Sequence, residues 1–167
     1  MPHFLVVQQR FARSEFVRCL EGVAGDEARR RLEPMNCISW IVGHLANQEH
    51  EYWVRAAQGR DLFPNLNALV GHGSLPSTPP LDEMWDAWHA VTAAADEYLE
   101  TLTPNIMETY LERGGQRMPE SVGTLLLRNL YHYWFHTGEG HAIRQQLGHT
   151  DLPQFVGNMS QALFRQE

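Results

Sequence analysis

Between Leu81 and Leu102 the apolar residues Leu81, Met84, Trp85, Trp88, Val91, Ala95, Tyr98, Leu99 and Leu102 recur at spacings of mostly three and four. Only an α-helix, at about 3.6 residues per turn, gathers such positions on one side. A stripe of this width must be buried, so the rest of the chain has to supply facing elements. Three other stretches have the right character. Phe4 to about Val23 places Phe4, Val7, Phe11, Phe16, Leu20 and Val23 near helical spacing, and Gly22 and Gly25 close it. Asn36 is a plausible N-cap for a helix running to about Gln58, and Ser121 caps another that runs to about Leu147 and stops at Gly148. The connections are punctuated by turn residues. Residues 25–34 are charged and turn-like, and Gly59 to Pro80 is a long crossover that serves as a site wall as readily as a simple connection. Thr103 to Pro119, with Gly114-Gly115, is extended or a loose hairpin, and the short apolar segment Met159 to Phe164 docks on the helices or on a partner. The expected fold is all-α, a four-helix bundle in a single domain over residues 1–167, with its long crossover between helices two and three.

Charge narrows the choice of partner. A formal net charge of -7 over 167 residues argues against nucleic acid and against an anionic membrane surface, both of which demand clustered Lys and Arg. Arg29-Arg30-Arg31 is flanked by Glu27 and Glu33 and reads as a solvated loop or helix end. No apolar run approaches the roughly 20 residues of a membrane span. Cys19 and Cys37, with no secretory signal, point to reduced thiols and a cytoplasmic protein acting on a small molecule.

Histidine placement carries the functional signal. His132 and His136, four apart on the last helix, stand one turn above each other and about 40° apart in direction. On helix two, Ile41, His44, Gln48 and Tyr52 share a side, so a histidine interrupts a core-like stripe and needs a partner there. Facing helices bring such side chains together, and three imidazoles leave at least one coordination position open, the arrangement of catalytic rather than structural zinc. Nickel, iron and manganese are alternatives to zinc. The competing reading is that each histidine is simply a hydrogen-bonded core residue. No Glu-x-x-His occurs, which argues against a ferritin-like di-iron site, and His-Glu-x-x-His of the zinc proteases is missing too. Glu139 lies near the direction of His132 and is a candidate acceptor behind a ligand or general base, or else a surface acid paired with Arg; Glu49 is a further candidate. The tryptophans read mostly as packing, with Trp134 turned away from the histidine pair. Gly138 and Gly140 suggest close helix packing at a dimer interface, and Arg55 and Arg144 are candidate clamps for a carboxylate. His3, His50, His72, His89, His141 and His149 read as surface, boundary or loop residues.

The order Gly43-His44-Leu45-Ala46, then His132-x-x-x-His136-Thr137-Gly138-Glu139 followed by Ala142-Ile143-Arg144-Gln145-Gln146-Leu147-Gly148-His149, resembles the DinB-like superfamily of bacterial metalloenzymes over most of the chain. That resemblance implies an up-down-down-up bundle, with one divalent metal held by His44, His132 and His136. It also implies an activity, since members include transferases that use low-molecular-weight thiols such as mycothiol or bacillithiol. The expectation is therefore a metal-dependent thiol S-transferase and a homodimer. The alternatives are a metal-dependent hydrolase and a non-catalytic, stress-related metal-binding module.

Overall fold

The computed structural model describes residues 2–164 and is mostly helical. Helix α1 spans Phe4–Leu20 and buries Val6, Phe11, Ala12, Phe16 and Cys19 on one side. It ends three residues before the expected Val23, because Glu21 turns extended and Gly22 takes a φ of 77°. A single helical turn not legible in the sequence, α2 (Gly25–Ala28), follows.

Helix α3 (Ile38–Glu49) starts after Cys37 rather than after Asn36. It then widens into a π-helical segment, His50–Ala56, so that helical character continues to Gln58 as the sequence indicated. The wider turn re-aims the chain. Trp53 and Val54 fill the core, while Glu51 and Tyr52 face a cleft beside α3. His50, expected near the surface, is instead buried, and its Nε2 accepts from Leu62 N at 3.0 Å.

The crossover contains α4 (Leu66–Val70), which lies against α3 at Gly43. A Cβ on Gly43 would come within 2.4 Å of Met84 Sδ and 3.2 Å of Val70, so any larger residue there would have to displace the Met84 side chain and press on Val70. Helix α5 (Leu81–Leu99) packs along α3 and the π segment, as its apolar stripe demanded. After the short α6 (Pro104–Met107), capped by Thr103, comes the hairpin expected around Gly114-Gly115, the one small sheet among the described residues of a mostly helical chain. β1 (Tyr110–Arg113) and β2 (Gln116–Ser121) form an antiparallel pair. Gly114 and Gly115, with φ of 59° and 77°, make the two-residue turn that suits a right-twisted hairpin.

Helix α7 (Val122–Gln146) begins where Ser121 accepts from Thr124 N, and packs chiefly on α1. At its end Gly148 N bonds to Gln145 O and His149 N to Arg144 O around a Gly148 φ of 88°, a Schellman stop. Gly140 faces Leu20 and Cys19 within the chain, and a Cβ on Gly138 would meet nothing of the chain itself. The tail returns to α1, where Gln8 Nε2 donates to Ala162 O.

Two apolar clusters form the core, one around Phe16, Ile41, Leu45 and Tyr133, the other around Trp53, Val91, Leu99 and Leu126. A buried polar network joins them. Glu49, 0% exposed, takes a bidentate ion pair from Arg13 and a 2.7 Å bond from the Tyr133 hydroxyl. Arg13 also donates to Asp96, and Trp88 Nε1 to Tyr133 Oη at 2.8 Å. Glu49 is thus part of the framework and stands apart from the histidines. Replacing it by glutamine leaves a buried guanidinium with only Asp96 as anion. The expected loss is about 3 kcal/mol of unfolding free energy in urea titration. A loss below about 1 kcal/mol would mean that Asp96 alone suffices.

Candidate functional site

His44 on α3 and His132 and His136 on α7 come together, as the two helix faces indicated. One ring nitrogen from each lies within 4.8 Å of the others. Ring centroids are 4.9 Å apart for His44 and His132, 5.2 Å for His44 and His136, and 4.5 Å for His132 and His136. His44 also stacks on Trp40 at 4.4 Å. Trp40 therefore supports the site as well as filling the core, a role the sequence did not suggest.

Each imidazole is held from behind through Nδ1. His44 Nδ1 donates to Val70 O at 2.7 Å, and His136 Nδ1 to Glu139 Oε2 at 2.7 Å. Carbonyl and carboxylate oxygens can only accept, so both rings carry their proton on Nδ1. His132 Nδ1 meets Gln48 Oε1 at 2.9 Å, and the polarity of that bond is set deeper in the core. The Trp53 indole N–H, a donor only, bonds to Asn129 Oδ1 at 2.9 Å, and Gln9 Nε2 donates to the same oxygen at 3.0 Å. Asn129 must then offer its amide N–H to Gln48 Oε1, at 2.8 Å, leaving that oxygen an acceptor for His132. His132 Nδ1 is thus a donor too. Gln48 sits on the stripe that singled out His44, but nothing in the pattern assigned it this task.

All three Nε2 atoms are consequently bare lone pairs, and those of His132 and His136 are 2.9 Å apart. Protonation would relieve their repulsion but is opposed by the surroundings. Burial, then the neighbouring His136 and His44, pulls His132 down to about 3; burial first, with His136 also contributing, pulls His44 down to about 4. A cluster of imidazole nitrogens in which His44 and His132 resist protonation is chemically suited to a divalent cation. Glu139 takes the position of an acceptor behind one of the imidazoles, one of the alternatives its direction offered. It accepts from the ring of His136, three residues back.

The histidines sit where two clefts meet. One, about 950 Å³, is walled by the π segment, the β-hairpin and α7, including Glu51, Tyr52, Arg113, Glu120, Arg128 and Tyr131. The other, about 350 Å³, is bounded by Trp40, Gly73, Ser74, Pro76 and Glu139, so part of the crossover is indeed a site wall. His44, His72, His132 and Phe135 border both. The expected arginine clamps lie elsewhere. Arg55 pairs with Glu51 and Asp61, and Arg144 is buried against Cys19 O and His149. Arg113 and Arg128 reach the large cleft instead, because the hairpin and its junction with α7 fold over it. Cys19 and Cys37 are buried free thiols outside both clefts.

The structure is thus a mostly helical protein in which three imidazoles converge at the junction of two clefts. The family model described as mycothiol-S-transferase matches residues 6–148, and the chain belongs to that family, within the DinB-like superfamily. A search of curated proteins finds no match. Among the described residues, no helix is long and apolar enough to cross a membrane.

Two measurements test the electrostatics. Nitrogen-15 spectra of the metal-free protein at pH 7 are expected to show Nδ1–H tautomers at His44, His132 and His136, with Gln48→Leu releasing His132 alone. The pH dependence follows from the lowered histidine values. Above about 6.5 the His44 and His132 rings are neutral folded or unfolded, whereas below it the unfolded chain protonates them and the folded one does not. Stability of the metal-free protein should therefore fall from pH 7 toward pH 4. His132→Gln should show a shallower fall in melting temperature, and an unchanged slope would refute the assignment.

Proposed function

We propose that this protein is a divalent-metal-dependent S-transferase that uses a low-molecular-weight thiol, mycothiol being the one its family name points to. The observation that carries the reading is the convergence of three imidazoles, two of their Nε2 atoms 2.9 Å apart, beside open clefts. His44, His132 and His136 would hold the metal through Nε2, leaving at least one position for substrate. Zinc and nickel suit an all-imidazole donor set best; iron and manganese are alternatives. The bound metal would supply Lewis acidity that favours the thiolate of a coordinated thiol at neutral pH.

The chain's own residues do the positioning. Val70 O, Gln48 and Glu139 hold the three rings in the ligating tautomer, and such acceptors raise ligand basicity. Glu139 acts by orienting His136, since its carboxylate already accepts that ring's proton. Trp40 keeps His44 in place by stacking. Family membership favours a thiol over water as the nucleophile and therefore transfer over hydrolysis. We read the long helices α1, α3 with its π extension, α5 and α7 as an up-down-down-up four-helix bundle, and residues 1–167 as one domain.

The test is elemental analysis of protein purified without an affinity tag. About one metal per chain is expected, lost in the His132→Ala/His136→Ala variant. Gln48→Leu should weaken metal affinity by about 10–100-fold without abolishing it. In the cobalt-substituted protein, mycothiol should shift the visible spectrum. Absence of metal after reconstitution with zinc, nickel, manganese and iron would leave the histidines structural and remove the enzymatic reading. Metal binding with no response to any thiol would favour a non-catalytic module.

A further inference from the structure

Large aromatic side chains left in water need a reason, and two of them stand together beside the histidine cluster. Tyr131 and Phe135, one turn apart on α7, are 63% and 68% exposed, and both line the large cleft. His132 lies between them in sequence, and the Phe135 ring meets that of His136 edge-on at 5.0 Å, so the pair adjoins the cluster. Met118, Pro119, Leu125 and Leu127 add aliphatic surface, which makes the lining of this cleft mostly apolar. Its ionised groups cancel. Glu51 pairs with Arg55 and Arg113, and Glu120 with Arg128, so every carboxylate and guanidinium of the lining is already matched. An ionic ligand would have to draw a side chain out of one of these pairs to gain a partner, whereas an uncharged ring displaces only water. The small cleft, about 350 Å³, is mostly polar, with Asn36, Ser74 and Glu139 among its walls, and matches a ring less well.

We infer that the large cleft binds the electrophile, and that this electrophile is an uncharged molecule whose reactive carbon adjoins an aromatic ring. The inference rests on the reading of the protein as a thiol S-transferase. The ring lies against Tyr131 and Phe135, where offset or edge-on contacts between aromatic faces add to the burial of apolar surface. His44 and His132 line the same cleft, so the carbon beside the ring is carried to the histidine cluster. For a benzylic halide the S–H proton is lost, a sulfur–carbon bond forms, and the carbon–halogen bond breaks with its electron pair. Thiol and halide thereby become thioether, halide ion and a proton. Size agrees with the assignment. Ligand pockets span about 300–1,000 Å³, so a cleft of about 950 Å³ accommodates a substituted ring and leaves room for the thiol to approach the same carbon.

Calorimetric titration with p-nitrotoluene, an uncharged ring with no halide to lose, tests the cleft without thiol and without turnover. Saturable binding is expected, about tenfold weaker in Tyr131→Ala and in Phe135→Ala. Phe164→Ala, which removes a comparably exposed ring outside both clefts, should leave it unchanged. The anion p-nitrobenzoate should bind about tenfold more weakly than p-nitrotoluene, since the cleft offers no unmatched cation. In turnover with mycothiol, Tyr131→Ala should raise KM for p-nitrobenzyl chloride about tenfold and leave KM for iodoacetamide, a compact electrophile with no ring, within about twofold. Melting curves and metal content check that the variants are folded and loaded, and Tyr131→Ala carries the test if Phe135→Ala, beside His136, loses metal. No p-nitrotoluene binding by the wild type, binding that both cleft variants leave intact, or tighter binding of the benzoate overturns the assignment of the cleft. Binding of p-nitrotoluene without turnover of either electrophile by any thiol tested overturns the transferase reading instead, because the titration requires no thiol.

Discussion

The bidentate pair of Arg13 and Glu49 is the contact on which the geometry of the site depends. It is buried between α1 and α3, and an ion pair so placed contributes less through net energy than through the high cost of any arrangement that separates its members. Tyr133 on α7 donates to the same carboxylate, and burial, with that carboxylate's charge, pushes its phenol well above the usual value, so it remains a donor. One acidic group therefore sets α1, α3 and α7 in mutual register. His136 follows Tyr133 by three residues and His44 precedes Glu49 by five, so the histidines inherit that register.

From this network a directional chain of hydrogen bonds runs outward. The Trp53 indole cannot accept, Asn129 is thereby oriented, Gln48 is oriented in turn, and His132 is left with its proton on the side away from the cluster. Val70 and Glu139 do the same for the other two rings in a single step. The site is thus prepared electrostatically from the core. Three ring nitrogens are held close to one another in a partly buried setting that disfavours protons on His44 and His132, an arrangement that a shared cation would relieve.

Local irregularities open the clefts. The widened turn at His50–Ala56 rotates Glu51 and Tyr52 toward the large cleft while returning Trp53 to the core, and the hairpin supplies Arg113 opposite Glu51. On the other side, Gly43 lets α4 approach α3 closely enough for the carbonyl of Val70 to reach His44. The crossover thereby serves the site through its backbone as well as through the side chains at its end.

Periodicity determined the long helices, because a three-four stripe has one low-energy use in water, and caps such as Ser121 and the stop at Gly148 marked their ends. The same rule put His44, His132 and His136 on inward faces, since spacing along one helix fixes direction without reference to anything else. The hairpin was half legible through Gly114-Gly115, which suits a two-residue turn whatever surrounds it. Tertiary structure alone decided the rest. Whether Gln48 or Glu139 meets a ring, whether Glu49 is framework or site, and which arginines reach the cleft depend on the distance between helices, which no single-helix period encodes. The π segment was hidden for the same reason: its stability comes from what Trp53 and His50 bury against, and the local sequence reads as ordinary helix.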